Sequence, residues 1–404
     1  MSVIEPEEQI SESIATPDQK LRVLVVSHAY VTGVNQGKLD AIAATQAADV
    51  GLLVPTGWQA LGWQKSLTLE KPYPSIQVFP AKISFSGRVG AYVYRPWAIW
   101  NTIKTFKPDV LHVEQEVFSL SALQMALAAR AFKLPMTIFG WENMDRQLSS
   151  FRSWIRQFVL DTVQAVIPGN QEGEELVRKW GYTGTVEVMP QIGVDAVLFA
   201  PQQPKEQPER PDTTGKFCIG YLGRFTYQKG LDTLFAAVQR LRQQTDNFCL
   251  VMCGSGPDEA ELKAEAKVLG IEDVVIWRGK IAPTKVPDEM ATFDVLALPS
   301  KSGDSWKEQF GHVLIEAMCM GVPVVGSTCG EIPNVIGEPS YVFTESDVDG
   351  LFDILNRMMS EPTWQQQAKD YGLERVHKYY THERIAVRLL NLWRQSIERY
   401  RTCA

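Results

Sequence analysis

The sequence predicts an α/β protein of two doubly wound domains, each a parallel sheet with helices on both faces. Its 404 residues exceed what one hydrophobic core usually organises. Short β-branched runs alternate with amphipathic segments of helical length along most of the chain. A polar, proline-rich stretch at 200–215 divides this alternation into two series and is predicted to be a linker. Ligands of such sheets bind beyond the carboxyl ends of the strands, so we expect a functional site in a central cleft that both domains face.

The first series predicts an N-terminal domain over residues 21–199. Helical periodicity covers 117–132 and 171–180 within it. Residues 1–20 are acidic and lack the basic and apolar segments of a signal peptide, so we expect a disordered lead-in. The strands predicted in this series are Leu21–Val26, Gly51–Val54, Asp109–Val113, Met136–Phe139, Gln164–Ile167 and Thr185–Met189.

The second series predicts a C-terminal domain over residues 216–378. We expect the remaining residues, 379–404, to form a helix that packs back on the first domain. The predicted strands are Phe217–Leu222, Phe248–Met252, Asp273–Trp277, Asp294–Leu298 and Val322–Val325. The predicted helices are Leu231–Gln243, Glu259–Leu269 and His312–Met320.

The composition argues against several classes of protein. A net charge of −7 argues against a nucleic acid held through its phosphates. No apolar run reaches the length of about 18 residues that predicts a membrane span. The six cysteines form no CxxC pair, which predicts reduced thiols in a cytoplasmic protein. The five histidines are scattered, so we expect no zinc site.

Two carboxylates stand eight positions apart around a predicted helix start. Glu308 lies in a polar loop, Phe310 and Gly311 mark the junction, and Glu316 lies in the helix that begins at His312. A helix N-terminus offers free N–H groups and a positive dipole end to an anion. This layout suits a phosphate-bearing ligand with polyhydroxy groups on either side of the phosphate.

Two cations share the loop after the first strand of the second domain. Gly223 and Arg224 follow that predicted strand directly, and Lys229 comes five residues after the arginine. The arginine fork and the lysine point charge can together clamp a diphosphate. The alternative is a pair of solvated surface cations.

Two further strand ends of this domain carry candidate binding residues. The second strand is followed by Gly254-Ser255-Gly256, whose small size allows a phosphate or sugar to approach the backbone. Such a turn is also common where no ligand binds. The third strand ends in Trp277 and Arg278, where the backbone can read a nucleobase edge and the tryptophan either stacks on it or belongs to the core.

In order and spacing these motifs resemble the donor-binding domain of retaining GT-B glycosyltransferases of the family 4, or group 1, type. The resemblance is closest over 218–335, where Gly-Val-Pro-Val-Val at 321–325 follows the second carboxylate, and it extends over most of 21–400. It implies the GT-B fold, with two Rossmann-like domains. It also implies that Arg224 and Lys229 neutralise the leaving diphosphate.

The resemblance implies roles for the other residues around the helix start. Glu316 would bind the ribose hydroxyls of the nucleotide, and Glu308 would lie near the transferred sugar. The backbone N–H groups of Phe310, Gly311 and His312 would bind sugar hydroxyls or phosphate. Preorganised cations and N–H groups of this kind stabilise the charge that develops on a departing diphosphate.

The acceptor side departs from the family pattern at two places. Many relatives carry a Gly-Gly pair in the first loop, where this chain has Asn-Gln-Gly and only Gly37 corresponds. Relatives often have a histidine after the strand 136–139, and here we expect Glu142 or Asn143 to replace it.

The strand ending at 113 adds further acceptor-side candidates. His112 precedes that end, and Glu114 or Glu116 can orient an acceptor hydroxyl there, although acids before a helix are common in any case.

Two segments of the first domain mix aromatic residues with arginine. They are 92–100 and 151–158. Such faces either lie on an anionic membrane or pack inside the protein. Peripheral contact with the inner face of a membrane would suit a lipid-linked acceptor.

The sequence thus predicts a cytoplasmic retaining glycosyltransferase that needs no metal or other cofactor. It would move a hexose from a nucleoside-diphosphate sugar to a saccharide or lipid-linked saccharide, in polysaccharide or glycolipid biosynthesis. The alternatives are a nucleotide-sugar epimerase of the same fold and a non-catalytic sugar-nucleotide-binding protein. A dinucleotide-dependent oxidoreductase is disfavoured because the first strand is not followed by GxGxxG.

Overall fold

The computed structural model describes residues 20–60, 65–201, 213 and 215–403. These residues form two compact units. The N-terminal unit comprises residues 20–193 together with 382–403, and the C-terminal unit comprises residues 194–381. The predicted acidic lead-in, apart from Lys20, and most of the predicted linker lie outside the described residues.

The N-terminal unit is built on a seven-stranded sheet in the order β11-β10-β9-β8-β1-β2-β5. Every pairing within it is parallel. Two short antiparallel pairs, β3 with β4 and β6 with β7, lie apart from this sheet. The strands are β1 Leu21–Val26, β2 Ala48–Pro55, β3 Gly57–Ala60, β4 Lys65–Thr68, β5 Ile76–Ala81, β6 Ile83–Ser84, β7 Val93–Tyr94, β8 Val110–Glu114, β9 Met136–Gly140, β10 Ala165–Pro168 and β11 Thr185–Val186.

Five helices alternate with these strands along the chain. They are α1 Gly37–Ala44, α2 Pro96–Phe106, α3 Leu120–Phe132, α4 Ser150–Leu160 and α5 Gln171–Lys179. The connections through α2, α3 and α4 all run toward β11, whereas the connection through α1 runs the other way. Because parallel crossovers are right-handed, α2, α3 and α4 lie on one face of the sheet and α1 lies on the opposite face.

The C-terminal unit has a second parallel sheet of six strands, in the order β14-β13-β12-β15-β16-β17. The strands are β12 Phe217–Arg224, β13 Phe248–Ser255, β14 Val275–Gly279, β15 Val295–Leu298, β16 Val324–Ser327 and β17 Val342–Phe343. The helices are α6 Leu231–Arg242, α7 Glu259–Val268, α8 Val286–Met290, α9 His312–Cys319, α10 Ile332–Ile336, α11 Val348–Ser360 and α12 Pro362–Tyr379.

The last helix, α13 His382–Cys403, returns to the N-terminal unit and packs on α1. A Cβ at Gly37 would lie 2.8 Å from Nε2 of His382, so the two helices approach closely where α1 begins. Trp393 is fully buried with its ring 5.3 Å from that of His112. Arg388 donates to the Glu187 carboxylate at 2.9 Å, which joins α13 to the chain that follows β11.

Several predicted element boundaries shift in the structure. β14 begins at Val275 and β16 at Val324, each two residues later than predicted, and β11 ends at Val186 rather than at 189. The helix predicted from 117 begins at Leu120 because Ser119 caps it by accepting from the Ala122 N–H.

One strand of the seven-stranded sheet was missed by the sequence reasoning, as was β17 of the six-stranded sheet. The first of these is β5, which contains Pro80 and lies at the edge of the sheet. Proline is tolerated in an edge strand because one side of that strand needs no ladder hydrogen bond. The proline argued against a strand in the sequence, although a proline is permitted at the edge position that β5 occupies.

Candidate functional site

The carboxylate of Glu308 is the centre of a polar cluster in the C-terminal unit. Lys229 Nζ lies 2.5 Å from its Oε2, and the Ser300 hydroxyl donates to the same oxygen at 2.8 Å. The lysine and glutamate side chains are only 18% and 11% exposed, so the ion pair is largely shielded from water. A pair in this setting is stable only with additional hydrogen bonds, which the serine supplies.

The close approach of two strand-end loops places Lys229 in this cluster. Lys229 ends a short 3-10 turn after β12, and Gly230 follows with φ +64°. A Cβ at Gly230 would lie 1.9 Å from the Pro299 carbonyl oxygen, so only glycine allows the loop to lie this close to the end of β15. Ser300 follows that proline, and the contact therefore sets lysine, serine and carboxylate together.

The backbone around Glu308 is held by the loop after β16. Its N–H donates to Cys329 Sγ at 3.4 Å, and its carbonyl oxygen accepts from the Glu331 N–H at 3.0 Å. A Cβ at Gly330 would lie 2.0 Å from the same carbonyl oxygen. Glu308 is thus fixed from both its side chain and its backbone.

The start of α9 lies four residues after Glu308. Gly311 occupies the N-cap position with φ +84°, and no side chain of the described residues caps the helix. Phe310 is buried, with its ring 4.9 Å from that of His312. The uncapped N-terminus presents the positive end of the helix dipole beside the Lys229–Glu308 pair, which is an arrangement that suits an anion.

Glu316 lies one turn into α9 and is half-buried. Removal of its carboxyl from water raises its pKa to about 7. In the described part of the chain no hydrogen bond or ion pair is made by this carboxyl. It therefore keeps its hydrogen-bonding capacity for a ligand, as the predicted binding of ribose hydroxyls requires.

Arg224 is the last residue of β12 and its side chain is exposed. The glycines beside it are explained by packing between strand ends. A Cβ at Gly254, which has φ +145°, would lie 1.8 Å from the Gly223 carbonyl oxygen, and a Cβ at Gly256 would lie 2.0 Å from that of Phe225. The Ser255 carbonyl accepts from the Phe225 N–H at 3.1 Å, so this turn is bound to the neighbouring loop.

The side chains at the end of β14 pack within the unit. The ring of Trp277 meets those of Phe225 and Phe235 edge-on, at 5.7 and 6.3 Å between centroids. Arg278 Nε donates to Glu289 Oε1 at 2.8 Å, in an ion pair that is largely buried. If either residue contacts a ligand, it does so while also making these ring contacts or this ion pair.

A second buried carboxylate, Glu114, ends β8 in the N-terminal unit. Lys38 Nζ lies 2.6 Å from Oε1, the Tyr30 hydroxyl donates to Oε1 at 2.8 Å, and the Gln191 amide donates to Oε2 at 2.8 Å. His112 Nε2 lies 3.4 Å from Oε1. Burial alone would raise the pKa of Glu114, but the Lys38 ammonium and His112 hold it well below its usual range.

Burial also lowers the pKa of His112 and so disfavours its charged form. Its Nδ1 lies 2.9 Å from the Thr137 hydroxyl. The predicted acceptor residues His112 and Glu114 thus belong to one network, and both are almost completely inaccessible. In this network they support the end of the sheet instead of lining its surface.

The sequence reasoning missed Lys38, and a signal for it was present. Lys38 lies four residues before Ile42 on α1, so both fall on the helix face that the core covers. A lysine at a core position requires a buried acid as its partner. That requirement could have directed attention to Glu114.

The remaining acceptor-side candidates follow β8 and β9. Glu142 accepts from Arg146 Nε at 3.0 Å, and Asn143 is buried with a side-chain N–H group that has no partner in the described part of the chain. Glu116 accepts from the Trp141 N–H at 2.8 Å, and burial raises its pKa to about 7. Gly37 lies apart from these residues, at the contact of α1 with α13.

Among the described residues, no helix combines the length and the apolar character that crossing a membrane would require. Within the same residues, no group of three or more acidic, histidine or cysteine side chains is arranged to hold a metal ion.

The fold is that of the GT-B glycosyltransferases, as the resemblance implied. A sucrose-phosphate synthase from Thermosynechococcus elongatus superposes with a TM-score of 0.67 at 19% identity, over 93% of this chain and 99% of the other. A glycosyltransferase from Rickettsia africae superposes with a TM-score of 0.70 at 15% identity, over 94% and 99%. These similarities establish the fold.

The sequence comparisons show which proteins this chain is similar to. Residues 202–375 match the family model of glycosyl transferases group 1, which agrees with the group 1 part of the resemblance drawn from the motifs. A GDP-mannose-dependent alpha-(1-6)-phosphatidylinositol monomannoside mannosyltransferase of Mycolicibacterium smegmatis is 26% identical over 59% of this chain and 64% of its own length. An MMP alpha-(1->4)-mannosyltransferase of Mycolicibacterium hassiacum is 27% identical over 52% of this chain and 49% of its own length. The chain therefore matches less than two thirds of either relative.

Glu316 gives a testable dependence of stability on pH. A carboxyl whose pKa is raised on folding stabilises the fold fully below the unfolded pKa of 4.5, and this contribution is lost as pH rises through 7. Between pH 5 and pH 8 the wild type should therefore lose about 2–3 kcal/mol of unfolding free energy through Glu316, and Glu316→Gln should not show this loss. Urea unfolding at both pH values measures it. Glu272→Gln, at an exposed position of the same unit, is the control, and equal pH dependence in wild type and Glu316→Gln would contradict the assignment.

The Glu114 network gives a second prediction. Lys38→Met leaves a buried carboxylate without its counter-ion and should cost about 3–5 kcal/mol of unfolding free energy. Adding Glu114→Gln should restore a large part of that loss, because no charge then remains. Urea unfolding of both variants, with exposed Lys20→Met as the control, measures the coupling. A Lys38→Met cost below about 1 kcal/mol would show that the ion pair contributes little.

Proposed function

We propose that this protein is a retaining glycosyltransferase that uses a nucleoside-diphosphate sugar. It transfers a hexose to a hydroxyl of a saccharide or a lipid-linked saccharide, in polysaccharide or glycolipid biosynthesis in the cytoplasm. The observation that carries the proposal is the Lys229–Glu308 pair beside the uncapped start of α9, within a group 1 glycosyl transferase domain. The pair and the helix start, which lies four residues after Glu308, offer a cation, an anion and N–H groups.

Departure of the nucleoside diphosphate leaves negative charge on its phosphate oxygens. Lys229, Arg224 and the N–H groups at the start of α9 stabilise this charge, and such fixed donors are usually the largest contribution to catalysis. In this proposal the side-chain cations and the helix do the work that a metal ion does in other enzymes. Neither a metal nor another cofactor takes part.

Lys229 is paired with Glu308 within the protein. A bound diphosphate would therefore share the ammonium with the carboxylate. As the leaving group departs, the sugar ring gains positive charge, and Glu308 is placed to stabilise that charge or to hold a sugar hydroxyl. Ser300 keeps one carboxylate oxygen oriented throughout.

The bond to the acceptor forms on the face from which the diphosphate leaves. The acceptor hydroxyl oxygen bonds to the anomeric carbon as the carbon–phosphate-oxygen bond breaks, and the departing phosphate oxygen takes the hydroxyl proton. This route retains the anomeric configuration and needs no separate protein base. It is consistent with Glu308 being held by Lys229 and Ser300 rather than free to remove a proton.

The names of similar proteins support the donor and acceptor classes. The Mycolicibacterium smegmatis relative is named for GDP-mannose as donor and for a phosphatidylinositol monomannoside. A relative from Streptococcus pneumoniae, 24% identical over 69% of this chain, is named an alpha-monoglucosyldiacylglycerol synthase. Both names contain a lipid-linked acceptor or product. We therefore favour a lipid-linked saccharide as the acceptor.

Lys229→Ala should lower kcat by about 10²–10³-fold, because the developing phosphate charge loses its closest fixed cation. The measurement is release of nucleoside diphosphate from the donor sugar in the presence of an acceptor. Lys267→Ala, at an exposed position on α7, is the matched control and should leave kcat unchanged. Unchanged turnover in Lys229→Ala would refute the proposed clamp, whereas conversion of donor without acceptor would identify an epimerase.

The product should keep the anomeric configuration of the donor. ¹H NMR of the product formed in the first minutes of reaction, before any mutarotation, reads this from the coupling constant of the anomeric proton. An inverted configuration would contradict the same-face route and would require a positioned base.

A further inference from the structure

Large apolar side chains stand exposed on α2 and α4, the two helices that pack on either side of α3 in the N-terminal unit. On α2, Trp97 and Trp100 are 58% and 47% exposed. On α4, Phe151 and Trp154 are 56% and 52% exposed and stack on each other. A single exposed aromatic is ordinary, but several on adjacent elements mark an interaction surface.

These side chains belong to one surface. α2, α3 and α4 lie on the same face of the sheet, and the ring of Trp100 lies 4.4 Å from that of Phe132 at the end of α3. Arg130 of α3 lies over the Phe158 ring of α4 at 4.0 Å. Arg152 of α4 donates to the Gly90 carbonyl at 2.6 Å, which attaches a loop that exposes Phe85 and Val89. We call this surface, formed by α2, α3, α4 and residues 85–90, the aromatic face.

The charge of the aromatic face is opposite to that of the whole protein. The chain carries a net charge of −7, yet the sequences of α2, α3 and α4 contain no aspartate or glutamate. The same is true of all of 71–108, in which the exposed basic residues are Lys71, Lys82, Arg88, Arg95, Lys104 and Lys107. Acidic residues lie on either side of α4 in the sequence: Asp145, which is paired with Lys179, precedes the helix, and Asp161 and the acidic residues of α5 follow it.

The cations stand among the aromatic rings. Arg95 lies over the ring of Trp97 at 5.2 Å, and Lys104 lies over that of Trp100 at 4.9 Å. Tryptophan with an adjacent cation is the combination that settles at a bilayer surface, where the ring enters the headgroup region and the cation meets lipid phosphate. Each such cation adds attraction to an anionic leaflet.

We propose that the aromatic face binds the surface of an anionic lipid bilayer. A second copy of the chain fits less well, because it would oppose like charges across the contact. A nucleic acid fits less well, because rows of exposed tryptophan add nothing to phosphate binding along a duplex and the protein as a whole is negative.

The position of the aromatic face suits the proposed reaction. Helix α4 begins after the loop that follows β9, and that loop carries Glu142 and Asn143. The exposed aromatic residues near the start of α4 therefore lie near the carboxyl ends of the strands, where the acceptor is expected. If the proposed function holds, the bilayer would present a lipid-linked acceptor at these strand ends.

The test is co-sedimentation of the full chain with vesicles, without donor or acceptor. Vesicles of phosphatidylcholine with phosphatidylglycerol should bind the protein, vesicles of phosphatidylcholine alone should bind it much less, and 0.5 M salt should release it. Trp97→Ser with Trp154→Ser should weaken binding by about tenfold or more. Arg95→Gln and Lys104→Gln should each weaken it by about fivefold.

The matched controls lie in the C-terminal unit. Val197 and Val268 are 86% and 85% exposed, and Val197→Ser with Val268→Ser should leave vesicle binding unchanged. Lys267→Gln is the corresponding charge control. Circular dichroism of every variant verifies that the fold is intact.

Four results would overturn the proposal. They are no binding, equal binding to neutral and anionic vesicles, equal losses in the controls, and a dimer that the face variants abolish while vesicles bind nothing. The vesicle assay contains no sugar, so its result does not depend on whether the protein transfers glycosyl groups. Conversely, a protein that fails to bind vesicles can still transfer a sugar to a water-soluble acceptor, so the two proposals fail independently.

Discussion

The candidate site depends on one ion pair, that between Lys229 and Glu308. Two ions removed from water attract each other enough to offset their desolvation only when the geometry is good and further hydrogen bonds are made. Here the 2.5 Å contact, the Ser300 hydroxyl and two backbone hydrogen bonds of Glu308 meet that condition. The pair joins the loop after β12 to the segment that leads into α9. It thereby fixes a cation and an uncapped helix start at one end of the second sheet.

A comparable arrangement exists in the N-terminal unit, where Lys38 neutralises Glu114 at the end of β8. The two pairs differ in what they leave accessible. Glu114 has each of its oxygens engaged by the protein and is buried, so it supports the sheet end. Glu308 and Lys229 retain some exposure, and Glu316 nearby keeps an unengaged carboxyl whose pKa burial raises to about 7. The difference in accessibility separates a structural carboxylate from carboxylates that can bind a ligand.

Much of the fold could be predicted because alternating strands and helices leave a periodic signal, and the GT-B architecture followed from motifs in a fixed order. The boundaries of β14 and β16 and the edge strand β5 were missed, since they depend on packing rather than on local pattern. Lys229 and Glu308 were both predicted as site residues. Their direct contact was not predicted, because the two residues are 79 positions apart in the sequence. Gly254 and Gly256 were expected to admit a ligand, whereas the structure shows that strand packing already requires them.

The central claim is that the Lys229–Glu308 pair forms part of a nucleoside-diphosphate site, and ligand-induced thermal stabilisation tests it most directly. Wild type and Lys229→Gln would be heated with UDP, GDP, ADP, their sugar conjugates and NAD. A ligand at 100 times its Kd adds about 2.7 kcal/mol to the unfolding free energy, which shifts Tm measurably. We predict that one nucleoside diphosphate and its sugar stabilise the wild type and stabilise Lys229→Gln much less. Stabilisation by NAD alone, or equal shifts in both proteins, would contradict the account.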